Sequence, residues 1–200
     1  MNQKFRIAIF ASGSGSNAEV IASYFKSHSF IRVSLVLSNN PKAQVLERAR
    51  KLNIPAKVFN KEEYITNVIN WLKEYSVTHI VLAGFLWLIP SAFLKAYPGK
   101  IINIHPALLP KFGGKGMYGR KVHELVRESN ETETGITIHL INDKYDEGAI
   151  LYQGKCEVTS TDTPEQIEYK VRQLEYSCYP KIIEKWILNG DDFLMADNVG

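Results

Sequence analysis

Three groups of residues in this 200-residue chain have types and spacings that suit chemistry. The first is Asn103 with His105. Residues two apart on an extended chain share a face, so an amide donor and an imidazole point the same way. That pair suits acyl transfer, the amide stabilising a tetrahedral oxyanion and the imidazole moving a proton. The same spacing also fits a histidine that only caps a strand end. The second group is Asp143 and Asp146, in the glycine-ended loop Asn142-Asp143-Lys144-Tyr145-Asp146-Glu147-Gly148. A carboxylate beside His105 would raise its pKa and orient the ring; two solvated acids in a surface turn are the plain alternative. The third is Gly13-x-Gly15-x-x-Ala18, which fits the G-x-G-x-x-[G/A] pattern. Glycines let the backbone approach an anion closely, and the helix start that follows supplies N–H groups and partial positive charge. Ser16 and Asn17 add side-chain donors, so a phosphate fits here, the alternative being a turn that only closes strand onto helix. A dinucleotide fits less well, because the ribose-binding acid expected ~20 residues on is absent from residues 36–41. A monophosphate ester fits better.

These groups need a frame, and the hydrophobic pattern provides one. Strands are predicted over residues 6–12, 32–38, 56–59, 79–85 and 100–104. Helices are predicted over 18–27, with Val20, Ile21, Tyr24 and Phe25 on one face, over 42–52, and over 61–75, with Ile65, Val68, Ile69 and Leu72 as its apolar face. Continuous apolar strands alternating with helices signal a parallel sheet covered on both faces. After residue 130 the pattern changes. Residues 134–141 and 149–158 read as an antiparallel pair, and 163–188 as one long helix. Thr161, Asp162 and Glu165 mark its start, and a break is expected near Tyr179-Pro180. The expected fold is α/β, doubly wound, with a mostly parallel sheet and an antiparallel edge extension. One domain is expected over residues 1–200, with a loose tail from about 191.

Composition narrows the function classes. Apolar residues make up 45% of the chain and charged residues 22%, a balance that can bury a core and excludes disorder as the main state. Lysine plus arginine minus acids is 24 − 21 = +3, too weak a balance to imply a nucleic-acid surface. The apolar stretch at residues 80–90 falls short of the ~20 residues that span a membrane. The apolar run at residues 7–11 runs into Gly and Ser, as a buried strand entering a turn does and a signal peptide does not. Cys156 and Cys178 have no metal-type pairing and read as two buried, reduced thiols of a cytoplasmic protein. His105, His123 and His139 show no ligand spacing, so no metal is expected.

The motifs Ser12-Gly13-Ser14-Gly15-Ser16-Asn17, Ala83-Gly84-Phe85, Asn103-Ile104-His105-Pro106-Ala107-Leu108-Leu109-Pro110-Lys111, Thr134-Gly135-Ile136-Thr137-Ile138-His139 and Asp146-Glu147-Gly148 stand in an order and spacing that resemble the folate-dependent formyltransferases. The glycine turn with its Asn narrows the resemblance to the phosphoribosylglycinamide (GAR) formyltransferase family. It runs from about residue 6 to 189 and implies a Rossmann-like formyltransferase fold. It also implies transfer of a formyl group from 10-formyltetrahydrofolate to the amine of GAR, in de novo purine biosynthesis. Asn103, His105 and Asp146 match the family's catalytic trio. Gly15, Ser16 and Asn17 match its phosphate-binding turn, Pro106 belongs to the substrate-side motif, and Glu175 matches a contact to the glycinamide end. Phe85, Leu86, Trp87, Leu88 and Ile89 match the segment lining the folate pocket, together with Asn103. Asn142 and Asp143 match the loop over the pterin, and Lys61 aligns with a basic residue near the folate tail. His139 is expected to support Asp146 or the core.

Three departures stand out. Trp87 and Lys61 stand where family members often carry Arg, and Lys for Arg is not neutral at a bidentate site. Residues 112–120 hold four glycines in nine and form a longer loop than the family pattern, expected to be a flexible lid. The resemblance leaves rival readings. A formyltetrahydrofolate hydrolase carries an extra N-terminal regulatory domain, whereas strand one begins here at residue 6. Formylation of methionyl-tRNA or a nucleotide sugar goes with an appended C-terminal domain, whereas this chain stops at 200 with +3 charge. A non-catalytic nucleotide-binding module would bind the same ligands without turnover. Expected partners are GAR and formylfolate, with no nucleic acid and no membrane, for a monomer or homodimer.

Overall fold

A computed structural model describes residues 4–190; the expected tail from 191 lies outside the described residues. Seven strands form one sheet in the order β3-β2-β1-β4-β5-β6-β7. They are β1 Phe5–Phe10, β2 Ile31–Ser38, β3 Ala56–Val58, β4 His79–Leu82, β5 Ile101–His105, β6 Glu133–Leu140 and β7 Ile150–Glu157. The first five form parallel pairs, and β6 with β7 is antiparallel. The helices are α1 Ser16–Tyr24, α2 Gln44–Lys51, α3 Thr66–Glu74, α4 Ser91–Ala96, α5 Arg120–Glu128 and α6 Pro164–Asn189. The doubly wound α/β reading with an antiparallel edge is therefore met. The described residues fall into two compact units, divided after Asn103.

In the first unit the continuous apolar strands are buried on both faces, as their composition demands. Ile7, Ala8, Ile9 and Phe10 of β1 are fully buried, and so are Ile80 and Val81 of β4. From β1 the chain winds outward through β2 and β3, then returns to β4 on the other side of β1. Such a switch point opens a crevice at the carboxyl ends of the strands, where ligands bind in open α/β sheets. The loops after β1 and β4 are tied together there. Ser12 N donates to the Gly84 carbonyl at 2.9 Å, and Leu86 N donates to Ser12 Oγ at 3.0 Å.

Several expected boundaries move. The face expected on α1 is only partly apolar core, since Tyr24 is exposed while Ile21 and Phe25 are buried. The helix expected from residue 61 begins at Thr66, because Asn60 and Glu63 trade side-chain-to-backbone hydrogen bonds and fix a separate turn. Lys61 therefore lies in that turn. Helices α4 and α5 were not anticipated. The break expected near Tyr179-Pro180 is absent, and α6 runs unbroken through Pro180. A helix-interior proline costs about 3 kcal/mol. Beyond it Ile182, Ile183, Trp186 and Ile187 are all buried, enough apolar burial to offset that cost. Both cysteines are free thiols but half-buried, not buried; Cys156 sits on the edge strand β7 and Cys178 on α6.

Candidate active site

In the first unit, the turn after β1 delivers the chain into α1 through Gly15, whose φ is 72°. A Cβ there would lie 2.4 Å from Val45 Cβ on α2, so glycine is needed for both its conformation and its size. Val45 N donates to the Gly13 carbonyl at 3.2 Å and Arg48 Nε to the Ser14 carbonyl at 2.8 Å. Arg48 also pairs with Glu19, so α2 grips both sides of the turn. No side chain caps α1. Ser16 and Asn17 open the helix, half-buried, where an anion would meet its amide end.

After β4 the segment Phe85, Leu86, Trp87, Leu88, Ile89 is braced from below by rings. Phe85 contacts Phe10, Phe59 and Tyr64, and Trp87 contacts Phe59 and Tyr64 edge-on. Tyr64 donates its hydroxyl to the Leu88 carbonyl at 3.3 Å. The braced segment leaves Leu86 44% and Leu88 40% exposed, an apolar wall beside polar main chain that suits a planar ring. Lys61 Nζ lies 5.9 Å from the Trp87 ring centroid, bringing those two sequence-picked residues together. Asn103, half-buried, closes this unit on β5 opposite Leu82 of β4.

The second unit begins with Ile104 and His105 at the end of β5. His105 is 3% exposed, and its Nδ1 lies 3.5 Å from Asp146 Oδ2. Its Nε2 meets the Phe112 carbonyl at 2.7 Å; a carbonyl only accepts, so Nε2 carries the proton and donates. On the other side of Asp146, His139 Nε2 lies 3.6 Å from Oδ1, and its Nδ1 donates to the Leu140 carbonyl at 2.9 Å. One carboxylate thus stands between two buried imidazoles, each pinned at its far nitrogen by a main-chain carbonyl. At 3.5 and 3.6 Å the inner contacts are too long for hydrogen bonds and become ion pairs only when an imidazole is protonated. Gly114 N supplies the hydrogen bond that Asp146 does accept, at 2.9 Å to Oδ2.

The charge balance of this cluster departs from the sequence expectation. Burial pushes the His105 pKa down, and although Asp146 and the Phe112 carbonyl push it up, burial wins and the net shift is downward. Asp146 loses solvent too, but the His139 contact, the His105 charge and the Gly114 amide together hold its pKa below the usual carboxylate value. At neutral pH the resting pair is an ionised Asp146 beside a neutral imidazole.

The remaining sequence-picked residues are placed singly. Pro106 follows His105 directly and is half-buried. Asn142 shapes its loop, accepting from Lys144 N at 3.0 Å and donating to the Glu147 carbonyl at 3.1 Å, while Asp143 is exposed there. Glu175 lies half-buried on α6, where its charge is felt by Tyr179. Missed in the sequence were Phe112 and Gly114, which touch the His105–Asp146 pair through main-chain atoms, and Tyr64, which braces the Leu88 carbonyl. The glycine cluster marked their neighbourhood but not their partners. Among the described residues no group of three or more His, Cys, Asp or Glu is arranged to hold a metal, and no helix is long and apolar enough to cross a membrane.

A sequence profile described as formyl transferase matches residues 5–183. The chain belongs to the formyl transferase family. It is 39% identical over 186 residues to a chloroplastic phosphoribosylglycinamide formyltransferase of Arabidopsis thaliana, covering 89% of this chain and 64% of that relative. With the phosphoribosylglycinamide formyltransferase of Bacillus subtilis it shares 37% identity over 187 residues, covering 90% and 93% of the two chains. The crystal structure of phosphoribosylglycinamide formyltransferase from Bacillus halodurans superposes with a TM-score of 0.82 at 35% identity, covering 97% of this chain and 98% of that one. The resemblance read from the motifs is met by relatives of that name, and the chain is an enzyme of the transferase class.

Proposed function

We propose that this chain transfers a formyl group from 10-formyltetrahydrofolate to the amine of GAR. The observation that carries the reading is the His105–Asp146 pair, 3.5 Å apart and buried, two strand positions from Asn103 in a chain of this family. Formylfolate supplies an activated formyl carbon, and its planar rings suit the apolar wall of Leu86 and Leu88. The protein's own residues do the rest. The turn at Gly15, Ser16 and Asn17 holds the GAR phosphate at the amide end of α1. Glu175 holds the glycinamide end, with Pro106 beside it. The Phe85–Ile89 segment, Lys61, Asn142 and Asp143 hold the folate. Asn103 donates to the formyl oxygen as negative charge develops there, and a protonated His105 shares that charge. Asp146 favours the proton on His105 and passes one on when the folate nitrogen leaves. His139 keeps Asp146 in place. Residues 1–200 act in this reading as one catalytic domain with small-molecule partners, in the cytoplasm, as a monomer or homodimer.

The test is a spectrophotometric assay of deformylated folate release, with and without GAR. GAR-dependent release is the expected result. Release without GAR would assign the chain to formylfolate hydrolysis instead. No release with both ligands saturating would overturn the choice of acceptor and point to another amine, such as that of a nucleotide sugar.

A further inference from the structure

In the arrangement described above, His105 has no hydrogen left for a substrate. Its Nε2–H is spent on the Phe112 carbonyl at 2.7 Å, and its Nδ1 faces Asp146. The segment that takes this hydrogen is built to sit there. Phe112 is held at φ 56°, a left-handed conformation that a bulky residue adopts only at a cost. Gly113 packs so closely that a Cβ would lie 2.4 Å from Leu109 Cδ2 and 3.4 Å from Asp146 Cβ. Gly114, at φ 96°, donates its N–H to Asp146 Oδ2 at 2.9 Å. Phe112 and Gly114 thus engage both members of the pair through main-chain atoms alone, and further glycines with positive φ follow at 116 and 119.

We propose that residues 112–114 form an internal latch, in which the Phe112 carbonyl occupies the place of the formyl oxygen on His105 and must be displaced before transfer. This inference rests on the reading of His105 given above. A carbonyl oxygen at hydrogen-bond distance from Nε2 has the same chemistry as the oxygen of a formyl group, so the two compete for one donor. While latched, the site holds His105 in its Nε2–H tautomer and Asp146 on the Gly114 amide. Arrival of the formyl oxygen releases Phe112 from its strained conformation, which lowers the cost of the exchange. The latch keeps the imidazole oriented and shielded until a carbonyl of the right reach arrives.

The test has two arms. In the first, NMR of the ring nitrogens of 15N-histidine-labelled protein reads the His105 Nε2–H directly. The free protein should show it as a protected, hydrogen-bonded proton, and addition of GAR with a non-transferable formylfolate analogue should shift it. In the second, Gly114→Ala places a side chain at φ 96°, strains the latched conformation without a steric clash, and should tighten binding of the folate analogue roughly three- to ten-fold. Gly99→Ala, strained alike at φ 66°, should leave that affinity unchanged. A His105 Nε2–H that stays on Phe112 in the ternary complex would overturn the latch, as would a Gly114→Ala variant that binds the analogue no tighter. The NMR arm separates this from failure of the functional reading. Absence of GAR-dependent turnover in the wild type with formylfolate rejects the function, whereas an unmoved proton in the analogue complex of a protein that does turn over formylfolate rejects only the latch.

Discussion

Burial, and not the neighbouring carboxylate, decides the resting charge of His105. The ring is 3% exposed, and removing water from an imidazolium outweighs the attraction of Asp146 and the Phe112 carbonyl. In the proposed mechanism the charged form that helps an oxyanion is therefore reached when substrate and its developing negative charge arrive. Two outcomes follow at this scale. In the free protein the His105 ring protons should titrate below the usual histidine range, and Asp146→Asn should push that titration lower still, because it removes the contribution that raises it. An NMR titration in which Asp146→Asn leaves the His105 midpoint unmoved would sever the pair. His105→Ala and Asn103→Ala should each lower kcat by ~10²–10⁴, the range for a general acid or an oxyanion donor. Near-native turnover in either variant would remove that residue from the mechanism.

The glycine turn shows how an element can carry two glycines for different reasons. Gly15 has φ 72° and Val45 at 2.4 Å from a would-be Cβ, whereas Gly13 has nothing within 4 Å of its own. Gly15→Ala should therefore cost about 2–4 kcal/mol, combining left-handed strain with overpacking against α2. Gly13→Ala should stay within about 1 kcal/mol. Urea unfolding of the two variants checks this, and equal losses would mean that α2 yields freely. The G-x-G-x-x-[G/A] spacing in the sequence marks both glycines alike; only the approach of α2 tells them apart, and that is a tertiary fact. Much else at this scale was legible. Continuous apolar runs such as Ile7–Ala11 specify strands buried on both faces, and the two-residue spacing of Asn103 and His105 survives in β5. Helix α5 was not legible because only Val122, His123 and Val126 are buried on it, too short an apolar stripe to stand out beside the glycines at 113–119. The start of α3 was misplaced because the Asn60–Glu63 turn imitates a helix start. Pro180 reads as a break in any sequence, since the burial that overrides it lies in Ile182, Ile183 and Trp186 further along. The hydrogen bonds of Phe112 and Gly114 were beyond reach, because main-chain contacts leave no mark on residue type.

Across the whole chain, buried histidines should set the response to acid. Desolvation, with help from the charge of Lys100, lowers the pKa of His79 from 6.5 to about 4. Its ring is packed edge-on against Phe5 at 5.8 Å and contacts Thr78 Oγ1 at 2.9 Å. Below pH 6.5 the unfolded chain takes up a proton at this site that the folded chain refuses down to about pH 4. The stability linked to His79 is therefore complete above that window and lost progressively as pH falls through it. At about 1.4 kcal/mol per pH unit, the loss from this one group approaches roughly 3 kcal/mol. His105 and His123 are shifted downward by burial as well, so they act with the same sign. Asp146, held below its usual value, adds a further loss at lower pH, where its protonation finally removes the ion-pair contacts to both imidazoles. Urea midpoints should thus fall steadily between pH 7 and pH 4.5, and His79→Gln should flatten the slope, because glutamine does not titrate and the remaining histidines keep only their share. Slopes are the quantity to compare, since the substitution also changes packing against Phe5 at every pH. If wild type and His79→Gln lose stability in parallel across that range, His79 takes up its proton without unfolding, and the acid sensitivity belongs to His105 and His123.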